Sequence, residues 1–87
     1  MSEIDPGWRI APQASLALRF WDGECVLYHG ASGDTHRLPE EIGRLLEQLA
    51  GGMAEIPQLV EAINLHSEDV QRALLELARL GIVEPVQ

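Results

Sequence analysis

Four side chains of this sequence are good soft-metal ligands: Cys25, His29, His36 and His66. No two of them combine as an i,i+4 pair on one helical pattern or as Cys-x-x-Cys, the spacings by which one helix or one turn supplies two zinc ligands. Ser32, Asp34 and His36 offer the residue types of a nucleophilic triad. They crowd one loop and the start of one strand, whereas a working triad draws its members from separated elements around a pocket. Local bonding to nearby backbone amides is the better account of Ser32 and Asp34, with Gly33 supplying a turn conformation that other residues avoid. Gly30-Ala31-Ser32-Gly33 lacks the lysine and following helix of a phosphate loop. Cys25 has no basic neighbour in sequence to hold a thiolate and reads as a small buried hydrophobe. The expectation is no metal, no cofactor and no enzymatic activity, so function has to come from surfaces.

Length and charge narrow those surfaces. At 87 residues the chain has room for one domain, and a chain of this size buries only about 60% of its unfolded surface, so most apolar positions must serve the core. Fourteen acidic against six basic residues leave a formal charge of -8. That balance repels phosphate backbones and steers in a basic partner or basic peptide. One cysteine cannot form an internal disulfide, and neither a signal peptide nor an apolar run of about 18 residues is visible, which predicts a cytoplasmic chain without a membrane partner.

The elements follow from changes of period. Residues 1–14 hold Asp5-Pro6-Gly7 and Pro12 with no sustained pattern and read as an N-terminal arm, pinned by Trp8 and Ile10; residues 15–87 form the single domain. From Ser15 the chain alternates, with Leu16, Leu18 and Phe20 on one side and Ala17, Arg19 and Trp21 on the other. Asp22-Gly23 is the signature of a type I′ hairpin, and it sets Trp21 opposite Glu24, Phe20 opposite Cys25, Leu18 opposite Leu27 and Leu16 opposite His29. Arg19 with Val26 and Ala17 with Tyr28 fall on the second face. After the loop 30–34, Thr35, His36, Arg37 and Leu38 form a short third strand at an edge.

Three helical patterns come next. Pro39 suits the first turn of a helix whose stripe is Ile42, Leu45, Leu46 and Leu49 and which Gly51-Gly52 ends. A shorter helix begins near Pro57, with a poor N-cap by sequence and with Leu59, Val60 and Ile63 inward. Ser67 is expected to cap the third, with Glu68 and Asp69 in its first turn and Gly81 just past its end. Val70, Ala73, Leu74 and Leu77 share its inward face, and Leu75 lies outside among Gln71, Arg72 and Arg79. Ile82-Val83 packs back as an extended segment that Pro85 ends. The class predicted is α+β, a winged-helix-like domain with an N-terminal three-stranded antiparallel sheet followed by a three-helix bundle.

Such a plan admits a helix-turn-helix, and a winged-helix DNA-binding or transcriptional regulatory module is the alternative reading. Glu68, Asp69 and Glu76 oppose it, since only Arg72 and Arg79 of the recognition helix would meet phosphate. The expectation is no nucleic acid.

The chain resembles the PqqD family of small peptide chaperones, and more closely the subfamily found beside HPr-kinase-like proteins in the HPr-rel-A system. The residues that carry the likeness are Trp21-Asp22-Gly23-Glu24, Tyr28-His29, the run Ser32-Gly33-Asp34-Thr35-His36 with Leu38, and Leu77, Leu80, Gly81, Ile82 and Val83. The resemblance implies a RiPP recognition element, which binds the leader of a ribosomally synthesised precursor peptide by strand addition and presents it to a modifying enzyme or HPr-kinase-like protein. It places the leader beside Thr35, His36, Arg37 and Leu38 and against Gln71, Arg72, Leu75 and Arg79. The residues themselves favour the same place, because an edge strand offers unpaired backbone groups and Leu75 an apolar floor. Thr35-His36-Arg37-Leu38 stands where better known members carry an aliphatic residue followed by Leu-Asn. A proline at His36 is expected to remove one edge amide and spare the fold. The same edge leaves a homodimer open.

Overall fold

Asp22 and Gly23 both sit at positive φ, 55° and 74°, the conformation a two-residue turn needs to match the twist of its flanking strands. In the computed structural model, which describes residues 7–86, this turn joins β2 (Leu16–Trp21) to β3 (Glu24–His29). The register has Trp21 opposite Glu24, Phe20 opposite Cys25, Leu18 opposite Leu27 and Leu16 opposite His29, as the alternation requires. β4 (Asp34–Pro39) pairs antiparallel on the other side of β3, so the sheet order is β2-β3-β4.

The class is α+β, with three helices and two small antiparallel sheets among the described residues. The second sheet pairs β1 (Gly7–Ile10) with β5 (Val83–Val86). Of the arm expected over 1–14, residues 1–6 lie outside the described residues, and Gly7–Ile10 are part of the packed unit. Trp8 is buried, and its backbone exchanges bonds with Ala54 on the side away from β5: Trp8 N donates to Ala54 O at 2.7 Å and Ala54 N donates to Trp8 O at 3.0 Å. That arrangement explains Pro85. Far from ending the segment, Pro85 lies inside β5 opposite Trp8. With Trp8's polar groups turned to Ala54, the pair is a non-hydrogen-bonded one, and the amide that proline lacks would have bonded nothing in the ladder.

α1 (Glu40–Ala50) starts one residue later than its pattern suggested, with Pro39 as the N-cap at extended ψ rather than in the first turn. α2 (Ile56–Ile63) has a better start than its sequence promised. Gln58 reaches back so that its side-chain oxygen accepts from Glu55 N at 2.7 Å, which satisfies an amide left over at the helix entrance. Asn64 ends α2 in the left-handed region at φ 58°, which asparagine tolerates better than most residues. α3 (Ser67–Arg79) is capped by His66, not Ser67. Val70 N donates to His66 O at 3.0 Å, so the first helical bond already starts from His66 and Ser67 lies within the first turn.

One core joins these parts. Leu27 of β3, Leu45, Leu46 and Leu49 of α1, Leu59 and Ile63 of α2, Val70, Leu74 and Leu77 of α3, and Trp8, Ile82 and Val83 form a continuous buried cluster. α1 packs on the sheet at unusual proximity because Gly43 faces it. A Cβ at Gly43 would stand 2.5 Å from Cys25 Cβ and 2.6 Å from the Phe20 ring, too close for any real contact.

Candidate functional site

Backbone direction along β4 decides what its edge can do. In a two-residue hairpin the closing pair exchanges both backbone bonds, so Trp21 with Glu24, Arg19 with Val26 and Ala17 with Tyr28 are the hydrogen-bonded pairs. Gly30 N donating to Ser15 O at 2.9 Å continues that series. The polar groups of Cys25, Leu27 and His29 therefore turn toward β4, where they meet Leu38, His36 and Asp34. Two flanking bonds agree: Gly33 N to His29 O at 2.8 Å and Glu40 N to Gly23 O at 3.2 Å. The free groups of the edge thus belong to Thr35 and Arg37, and the amide of His36 lies inside the ladder. A proline at His36 would break the bond to Leu27 and damage the sheet, contrary to the sequence expectation; the edge amides to remove are those of Thr35 and Arg37.

Side chains alternate accordingly. Thr35 and Arg37 are exposed on the outer face, while His36 and Leu38 are half-buried on the inner face, Leu38 against the core. On α3, Leu75 is 54% exposed and lines a shallow depression with Glu68, Gln71 and Arg72. Arg72 and Arg79 donate within their own helix, to Asp69 at 3.4 Å and Glu76 at 3.0 Å. Exposed pairs of this kind contribute about 0–1 kcal/mol and yield readily to another acceptor. β4 packs mainly on β3 and α1, and α3 mainly on α2 and β5. Thr35, His36, Arg37 and Leu38 are together on one strand, and Gln71, Arg72 and Leu75 on one helix face; the depression on α3 is not lined by any β4 residue.

A larger groove, about 670 Å³, lies at the opposite edge of the sheet, where Leu16 and Leu18 of β2 face Ile10, Leu46, Leu49 and Met53. Sequence reasoning missed it because one wall is β1, whose position depends on pairing with the far end of the chain.

Ser32 bonds a nearby backbone amide, as its place in the loop predicts, and has His29 as a second partner. Its hydroxyl lies 3.1 Å from His29 Nδ1 and accepts from the Asp34 amide at 3.3 Å. His29 is buried with its Nε2 unpartnered, and His36 is on the inner face of β4. The cluster ties the β3–β4 loop and brings no carboxylate to the histidine. Cys25 is fully buried on the inner face, and burial pushes its thiol pKa up, away from thiolate chemistry. Among the described residues no three metal-ligating side chains come together, and no helix is long and apolar enough to cross a membrane. No family model, curated protein or solved structure matches the chain.

Proposed function

We propose that the chain is a non-catalytic peptide-binding module, winged-helix-like in arrangement, that takes the leader of a ribosomally synthesised precursor as an added strand and presents it to a modifying or kinase-like enzyme. The observation that carries the reading is the β4 edge. Thr35 and Arg37 hold their N–H and C=O groups outward, no strand of the described residues pairs with them, and an extended peptide satisfies such groups directly. Leu38 and His36 on the inner side, and Leu75 on α3, supply apolar contacts of the kind that select side chains. The resemblance of the Gly33-Asp34-Thr35-His36 run to the PqqD family points to the same edge. The DNA-binding alternative is weakened by the carboxylates of α3 itself: Asp69 and Glu76 lie within reach of Arg72 and Arg79 and Glu68 is in the first turn, so a phosphate chain would meet three negative groups with two cations.

A second edge has an observation of its own: Leu16 and Leu18, whose backbone groups turn outward on β2, border the apolar groove beside β1. Proline substitutions separate the two. Amide NMR titration with short peptides encoded beside the gene, with duplex DNA as control, is expected to shift residues 35–38, and Thr35→Pro to weaken binding about tenfold or more while the fold persists. Unchanged affinity in Thr35→Pro together with loss in Leu18→Pro would move the peptide to β2, and shifts with DNA alone would sink the peptide reading.

A further inference from the structure

The outer face of the three-stranded sheet is a three-by-three grid set by the register. Its rows are Ala17, Tyr28, Thr35; Arg19, Val26, Arg37; and Trp21, Glu24, Pro39. Eight of the nine are exposed and Val26 is half-buried, so nothing among the described residues covers this face. Trp21 and Tyr28 are 59% and 48% exposed; Tyr28 follows Val26 on β3 and Trp21 lies diagonally from Val26 on β2.

The arginines of the grid differ from the rest of the chain. All six basic residues are arginine. Arg9 pairs with Glu84, Arg44 with Glu40 and Glu47, Arg72 with Asp69 and Arg79 with Glu76. Arg19 and Arg37 alone have no ion pair among the described residues, in a chain with fourteen carboxylates. Two strand spacings separate them, about 10 Å, so they hold two like charges on either side of Val26, with Glu24 the one carboxylate of the grid. Trp, Tyr and Arg around an apolar centre are the residue types that dominate binding at protein interfaces.

We propose that this face docks an acidic segment of a second protein, with Arg19 and Arg37 taking two of its carboxylates and Trp21, Val26 and Tyr28 its apolar contacts. Charge complementarity selects that occupant. A nucleic-acid strand would bring its whole phosphate chain against a protein of charge -8 with only two cations to receive it. The net charge by itself points to basic partners, and the grid reverses that sign locally. The proposal goes beyond the leader site: it concerns the side chains of the sheet face, not the backbone groups of the β4 edge.

The test uses the full chain and three synthetic peptides of one length, alternating leucine with glutamate, glutamine or lysine, plus a single-stranded oligonucleotide. Trp21 fluorescence reports the face, since Trp8 is buried. The expected result is saturable binding of the glutamate peptide in or below the millimolar range, weakening with salt, with amide shifts on residues 17–21, 26, 28, 35 and 37. The glutamine peptide should bind about tenfold more weakly, and Arg19→Gln/Arg37→Gln should cost about tenfold while Arg19→Lys/Arg37→Lys retains most of the affinity. Thermal unfolding of each variant checks that the fold is kept. Equal or tighter binding of the lysine peptide or the oligonucleotide overturns the proposal. So does unchanged affinity in the glutamine double variant, or no saturable binding of any peptide. A concentration-dependent dimer that the same variant abolishes would identify the occupant as a second copy, which also overturns it.

Discussion

Alternate residues of the same three strands build two faces of opposite character. The inner face, with Phe20, Cys25, Leu27, His29 and Leu38, is closed by α1, and at Gly43 the helix comes as near as a backbone can. The outer face, with Arg19, Trp21, Val26, Tyr28 and Arg37, is open. A solvated face of an antiparallel sheet is ordinarily polar, so burial accounts for Cys25, Leu27 and His29 in full and for Phe20 and Leu38 in part, and for almost none of the outer residues. The difference teaches where each kind of residue answers to folding and where it answers to a partner.

Substitutions on the two faces should separate sharply. Leu27→Ala, at the centre of the inner face and fully buried, is expected to cost about 3 kcal/mol in chemical denaturation; a loss below about 1 kcal/mol would mean that the inner face is not a packed core. Gly43→Ala sets helix propensity, which favours alanine by about 1 kcal/mol, against a Cβ placed 2.5 Å from Cys25 Cβ. Overpacking of that severity costs about 1–3 kcal/mol, so the net change should be destabilising, and a stabilised variant would show that α1 is free to lift from the sheet. On the outer face Trp21→Thr and Tyr28→Thr should alter stability by no more than about 0.5 kcal/mol each. A larger loss in equilibrium unfolding would assign those aromatics to the fold.

Much of this frame is legible from residue types. The hairpin register follows from Asp22-Gly23 because few other pairs accept two positive φ angles, and once it is fixed the faces follow by counting. The stripes of α1 and α3 follow from the 3.6-residue period. Gly43 is different: within a helical pattern a glycine reads as a weak position, and only the approach of Cys25 and Phe20 from another element gives it a reason. The pairing of β1 with β5 was hidden because it joins residues more than seventy positions apart, and Pro85 obscured it further by resembling a terminator. Ser67 misled because a serine before two acidic residues has the composition of a cap, while the turn after Asn64 starts the helix one residue sooner. For the site, the edge position of β4 was legible, but the direction of its amides required the hydrogen-bonding parity passed across from the hairpin. The grid on the outer face was present in the register all along; its meaning came from finding the other four arginines already paired.

The β1–β5 ladder sets Gly7 against Val86 and Ile10 against Val83, so both strands enter the domain from the same end. Tension applied between positions 7 and 86 would load one rung at a time, peeling the ladder open rather than shearing it. Mechanical failure would therefore begin at low force at the Gly7–Val86 rung, and it would reach the core only when Trp8 and Val83 are drawn out.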